Sequence, residues 1–151
     1  MHIGVDDWVQ EGRLCVWRYA GKDCGLHGWQ WSGDPEGCGS VRNLLDRMRG
    51  GSACHRFLQL SPVTDAILNI PVAGQQIAER FRMLRIDHRP NVDVLRAEPD
   101  GETLVVTAGG RRLHKFAAAF GWAERGREFE VDPGDRREGL WKFWGMPDVK
   151  Y

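Results

Sequence analysis

The segment from Val92 to Phe120 limits what this chain can fold into more than any other part of it. It reads Val-Asp-Val-Leu-Arg-Ala-Glu, the turn Pro99-Asp100-Gly101, Glu-Thr-Leu-Val-Val-Thr, the pair Gly109-Gly110, and Arg-Arg-Leu-His-Lys-Phe-Ala-Ala-Ala-Phe. Proline presets φ, aspartate bonds its own backbone and glycine accepts positive φ, so the turn closes a hairpin. Leu104, Val105 and Val106 form an unbroken β-favouring run, which predicts a central strand buried on both faces. Beyond the glycines, Leu113, Phe116, Ala117 and Phe120 recur at i, i+3, i+4 and i+7, the stripe of an amphipathic helix, with Gly121 placed to stop it.

A chain of 151 residues supports one domain with a real core and is short for two. Lys+Arg and Asp+Glu balance at 21 each, so no global field draws the chain to nucleic acid or to an anionic membrane. Arg111, Arg112, His114 and Lys115, beside Arg80, Arg82 and Arg85, read as a solvated cationic face, and nucleic acid is not an expected partner. The start of the chain has no charged region followed by an apolar run and a small-residue cleavage site. No apolar run reaches membrane-spanning length, so a cytoplasmic location without membrane contact is expected. There the four cysteines, Cys15, Cys24, Cys38 and Cys54, are expected to stay reduced.

In chain order, strands are expected at Ile3–Trp8 and Leu14–Tyr19, followed by a loop over Gly21–Gly28. Trp29-Gln30-Trp31 then forms a short strand with both indoles on one face. Gly33–Gly37 reads as a loop, and a helix begins at a Ser40 cap, carries Val41, Leu44, Leu45 and Met48 on one stripe, and ends at Gly50-Gly51. A strand at His55–Leu60 leads to Ser61-Pro62, read as cap and first residue of a short helix reaching Asn69. Phe81–His88 alternates as a strand with one solvated face, and Arg89-Pro90-Asn91 turns it into the hairpin. A strand at Glu128–Val131 and the aromatic run Leu140–Trp144 close the chain. The sum is a single α+β domain over residues 1–151, with a largely antiparallel twisted sheet and two or three packed helices.

Four features bear on function. Cys24, His27, Cys38 and Cys54-His55 supply soft ligands, but structural zinc takes two closely spaced pairs, and adjacent Cys54 and His55 on a strand point to opposite faces. No metal or other cofactor is therefore expected, and Cys24, His27, Cys38 and Cys54 are the residues a metal would need. Cys38, near a helix start and flanked by glycines, is the cysteine best placed for a thiolate. No hydrolase, kinase, phosphate-loop or zinc-protease motif accompanies it, which leans against an enzyme. Seven tryptophans are many for this length. Trp17 is assigned to the core, whereas Trp29, Trp31, Trp141 and Trp144 are expected to line a partner-binding face with Asp34 and Glu36 at its border, because indoles anchor protein interfaces.

The extended segment from Asp93, its Asp-Gly turn, the Leu-Val-Val-Thr strand, the glycine break and the Leu-x-x-Phe-Ala helix resemble the strand-turn-strand-helix unit of small bacterial toxin-immunity proteins. The resemblance covers under a third of the chain and specifies no functional residue. It implies a non-catalytic cytoplasmic protein that binds a toxin domain and occludes its active site. The expectation is a protein-binding module of immunity-inhibitor type, with self-association through the same tryptophans as a second kind of partnership. The contrasting class is a small enzyme or ligand- or metal-binding domain that uses the Cys/His cluster near Trp29 and Trp31. A broad exposed face would mark the first and a concave site of converging Cys, His and carboxylates the second.

Overall fold

The computed structural model describes residues 4–19, 28–69, 77–134 and 139–151. Among them the elements run β1 (Leu14–Tyr19), β2 (Gln30–Gly33), α1 (Pro35–Arg49), β3 (Cys54–Gln59), α2 (Asp65–Leu68), β4 (Ile77–Arg80), β5 (Met83–His88), β6 (Val94–Asp100), β7 (Thr103–Gly109), α3 (Gly110–Glu124), β8 (Phe129–Val131) and β9 (Trp141–Gly145). The fold is α+β, with two mixed sheets rather than one. Their orders are β4-β1-β2-β9-β8 and β3-β5-β7-β6. Each holds one parallel pair, β2 with β9 and β5 with β7, and its other pairings are antiparallel.

The residues 92–120 unit has the expected order of strand, turn, strand and helix, although Pro99 and Asp100 pair within β6 and the turn itself is Gly101-Glu102. β6 and β7 make the hairpin, Gly101 takes φ +61° in its turn, and α3 buries Leu113, Phe116, Ala117 and Phe120. β7 is central, between β5 and β6. Its burial alternates, however: Leu104, Val106 and Ala108 are buried while Thr103, Val105 and Thr107 are half-buried. No described element covers the outer face of that sheet. α3 also runs through Gly121. There a Cβ would lie 3.4 Å from Arg42 Cδ of α1, and a Cβ at Gly39 of α1 would lie 2.8 Å from Glu124 Oε1. The two glycines lie at the contact of α1 and α3, each against a long side chain of the other helix, and Gly126, at φ +74°, follows the true helix end at Arg125.

The cap of α1 lies six residues before the expected Ser40. Asp34 is its N-cap, with Oδ1 accepting from Gly37 N at 2.7 Å and from Arg13 N at 2.9 Å, and Pro35 follows as the first helical residue. Gly37 sits inside the helix because a Cβ there would lie 1.9 Å from the Arg13 carbonyl oxygen. The expected strand at 3–8 is not formed by its described residues, since β1 already has β2 on one side and β4 on the other. α2 is capped by Thr64, whose Oγ1 accepts from Ile67 N at 3.3 Å, rather than by Ser61. β5 enters the hairpin region as read, but it pairs with β7, in parallel, and not with β6.

One core fills the space between the sheets. Leu14, Val16, Trp29 and Trp31 from the first sheet share this core with Leu84, Ile86, Leu104 and Val106 from the second; α3 packs against both sheets, and α1 packs against α3 and β2. On the other face of the five-stranded sheet, Cys15, Trp17, Tyr19 and Trp144 pack with Ile67 of α2 in a smaller cluster. Period-two alternation in β9 sends Trp141 and Phe143 to the first core and Trp144 to the second.

This packing sets two stability expectations, both read by urea denaturation. Trp31→Ala costs about 3–5 kcal/mol, the range for truncating a buried aromatic. Asp34→Ala costs about 1–2 kcal/mol, and Asp34→Asn restores most of it because the amide oxygen still accepts from Gly37 N. Equal, small effects at both positions would contradict the assignment of Trp31 to the core and Asp34 to the cap.

Candidate functional site

The tryptophans expected to form a binding face are core residues. Trp29, Trp31 and Trp141 are fully buried, and Trp144 is 9% exposed, its Nε1 donating to Gln30 Oε1 at 2.8 Å. Trp31 stacks on Trp141 at 5.4 Å and on Phe143 at 5.8 Å, and takes Phe116 and Phe120 edge-on. Two hydrophobic sheets and two helices leave no solvent-facing side for these rings. Asp34 is committed to the α1 cap, and its Oδ2 lies 3.5 Å from Arg13 Nε. Of the expected partner-binding residues, Glu36 alone is exposed and lines a concavity.

That concavity is an open groove of about 610 Å³ over α1. Its floor is the solvent side of the helix, with Glu36, Ser40 and Asn43, and its outer wall is the segment from Asp7 to Glu11. Ser40, which the sequence suggested as a cap, instead ties this wall to the helix. Its Oγ accepts from Glu11 N at 3.0 Å and donates to Val9 O at 3.4 Å, and its carbonyl accepts from Trp8 Nε1 at 2.9 Å. Arg47 Nη1 holds the start of the wall by donating to Gly4 O at 3.3 Å. At the far end Arg42 reaches Glu124 Oε2 of α3, with Nη2 at 2.8 Å and Nε at 3.1 Å.

The same Arg42–Glu124 pair borders a second hollow of about 300 Å³ lined by Ala118, Gly121, Trp122 and Arg125. Trp122 is 37% exposed, stacked on Phe129 at 6.1 Å and overlain by Arg127 at 5.7 Å. The two hollows form one surface over α1 and α3 with a tryptophan at each end. Its charge is uneven. Arg42 is paired with Glu124 and Arg47 with a carbonyl, while on the α1 side the carboxylates of Asp7, Glu11 and Glu36, and on the α3 side Arg125 and Arg127 beside Trp122, have no ion pair among the described residues. Ending α3 at Gly121 hides Trp122 in sequence reasoning. Continued past that glycine, the i, i+3, i+4 stripe passes Trp122 by and marks it as solvent-facing.

The described cysteines, Cys15, Cys38 and Cys54, do not assemble a reactive centre. Cys38 lies inside α1, fully buried, and burial pushes its thiol from the ordinary 9.0 up to about 12. Cys15, buried in β1 with its thiol 3.7 Å from Pro62 O, is pushed up to about 12 in the same way. Cys54 is half-buried, and burial raises its thiol against the opposing pull of the Arg56 charge. Neither Cys38 nor Cys54 is hydrogen-bonded to a histidine among the described residues. No group of three His, Cys, Asp or Glu there is placed to hold a metal ion. Cys24 and His27 lie outside the described residues.

No family model, curated protein or solved structure matches the chain. The geometry itself defines an α+β domain with a groove that is acidic along α1 and flanked by tryptophans, and with described thiols that are neutral at ordinary pH.

The thiols give a reactivity test and a pH test. In a Cys24→Ser background, a colourless-to-coloured disulfide reagent at pH 8 modifies Cys54 first, while Cys15 and Cys38 react only as the protein unfolds. Between pH 9.0 and about 12 the folded chain keeps two thiol protons that the unfolded chain releases. This contribution to stability is therefore complete below pH 9 and is lost as pH rises toward 12. Replacing both residues by alanine flattens this slope. An unchanged slope would contradict the burial of these thiols as its cause.

Proposed function

We propose that this chain is a protein-binding module whose groove over α1 and α3, acidic along α1, receives a basic segment of a partner protein. Its most concrete form is an immunity-type inhibitor that covers a toxin's active site. The observation that carries this reading is the row of unpaired carboxylates, Asp7, Glu11 and Glu36, along an open groove whose wall is fixed to α1 by three hydrogen bonds through Ser40. A wall held in this way docks without first ordering itself, which lowers the entropic cost of association. The free carboxylates steer a cationic partner and set orientation more than they add affinity. Trp122, half-open on the same surface, supplies the apolar anchor that such interfaces place in their energetic centre. The resemblance of the residues 92–120 unit to immunity proteins supports the inhibitor form, and that unit folds as strand, turn, strand and helix.

The test is affinity capture from the source cell lysate with three chains. The unaltered protein and an exposed-site control, Glu98→Lys on β6, retain a stoichiometric partner, and salt weakens its binding. Glu11→Lys/Glu36→Lys, checked for folding by circular dichroism, loses it. Trp122→Ala weakens it by about 2 kcal/mol, roughly thirtyfold. Retention of the partner by the folded charge-reversed chain would contradict the groove as the binding surface.

A further inference from the structure

The four sheet edges are not equally protected. β8 is three residues long, and β6 carries Arg96, Glu98, Pro99 and Asp100, the charges and proline that discourage strand addition. β4 is four residues long. β3 is six residues long and has no proline, and its one fixed charge, Arg56, is paired with Asp6 of the same chain. Its outward backbone is settled at one residue only. Gln10 Nε2 donates to Gln59 O and Gln59 N donates to Gln10 Oε1, both at 2.8 Å, so a carboxamide imitates a neighbouring strand there. Because outward and inward residues alternate, the N–H and C=O of His55 and Phe57 face the same open side, and no described residue bonds them. Phe57 is 50% exposed and already touches the His55 ring at 5.8 Å and the Arg85 guanidinium at 5.6 Å.

We propose that β3 is a self-association edge at which a second copy of this chain adds its own β3 antiparallel, about a two-fold axis at Arg56. Two open residues flanking a central one form a self-complementary set. The axis places His55 opposite Phe57 of the second copy and Phe57 opposite its His55, and about four backbone hydrogen bonds close between them. The two four-stranded sheets then run on as one. Each aromatic gains a cross-strand aromatic partner. The register also places Ala53 of the second copy beside Gln59, where Gln10 already stands. The approach to β3 is Gly50-Gly51-Ser52-Ala53, so only small side chains pass that point. A basic or acidic partner strand is less well matched, because the open window presents one imidazole and one phenyl ring, and the charges around it, Arg56 on the axis and Arg85, are already paired with Asp6 and Asp87 of their own chain.

The experiment is sedimentation of the full chain over a concentration series, with register read by crosslinking. The mass average rises from one chain toward two. His55→Lys/Phe57→Lys raises the dissociation constant at least about tenfold, ~1.4 kcal/mol, without loss of folded signal. In a Cys24→Ser/Cys54→Ser background, His55→Cys/Phe57→Cys oxidises to a covalent dimer because directly paired residues are within disulfide reach. His55→Cys alone or Phe57→Cys alone does not, since the offset pairs exceed about 7 Å. Glu11→Lys/Glu36→Lys dimerises like the unaltered chain, which separates this edge from the groove. A chain that stays single at every concentration, a dimer indifferent to the edge lysines, or single-cysteine variants that crosslink as fast as the double one would overturn the proposal. So would a single chain that loses a captured protein when Phe57 is replaced, which would assign the edge to a foreign strand.

Discussion

The contact on which the rest of the structure depends is the aromatic stack around Trp31. From β2 it lies flat against Trp141 and Phe143 of β9 and receives Phe116 and Phe120 of α3 on its edge. β2 and β9 are parallel and distant in sequence, so no tight turn holds them together. Their rings and α3 do. α3 in turn packs on β6 and β7, which ties the five-stranded sheet to the four-stranded one. The stack tolerates a polar cost. The indole N–H groups of Trp17, Trp29, Trp31 and Trp141 are buried with no partner among the described residues. An unmet donor costs about 1–3 kcal/mol. Burying a ring of 150–250 Å² contributes about 4–6 kcal/mol at 25 cal/mol per Å², so apolar contact wins.

Committing the tryptophans of β2 and β9 to the core moves the interaction surface elsewhere. α1 and α3 meet at Gly39 and Gly121, and their outward sides, with the Asp7–Glu11 wall, leave the groove. The open edge of β3 stands apart from it, bordered by the same N-terminal segment through Gln10. One short strap thus shapes both surfaces: its hydrogen bonds to Ser40 form the groove wall, and its glutamine fixes how much of β3 stays open. A partner in the groove and a second copy at the edge are compatible in chemistry because the first relies on carboxylates and the second on backbone groups and two rings.

Much of the fold was legible in the sequence, and most of the site was not. The residues 92–120 unit, β1, the stripe of α1 and the alternation of β5 depend on local periodicity and turn chemistry, which a sequence displays directly. The errors share a cause. Gly37 reads as loop and Gly121 as a breaker, yet a Cβ at Gly37 would run into the Arg13 carbonyl oxygen, and Gly121 lies within α3 against Arg42 of α1. That is a tertiary fact. Alternation puts Trp29 and Trp31 on one face, and both lie in one core cluster, but periodicity does not say whether a face meets water or a helix. The α1 cap could have been found, since Asp34-Pro35-Glu36 is an N-cap, a first-turn proline and a first-turn acid in order. The following glycines outweighed it. The groove depends on Ser40 bonding to the segment at Val9–Glu11, some thirty residues earlier, which no local pattern encodes.

The most direct test of this division between core and surface uses the seven indole N–H groups as reporters. In the chain labelled with nitrogen-15 tryptophan, each gives one amide-type resonance, assigned by Trp→Phe substitution. On adding the captured partner, the Trp8 and Trp122 signals shift or broaden, while those of Trp29, Trp31 and Trp141 stay in place. Movement of the Trp29, Trp31 and Trp141 signals with Trp8 and Trp122 unchanged would contradict the account, returning the aromatic stack to the binding face and emptying the groove of its role.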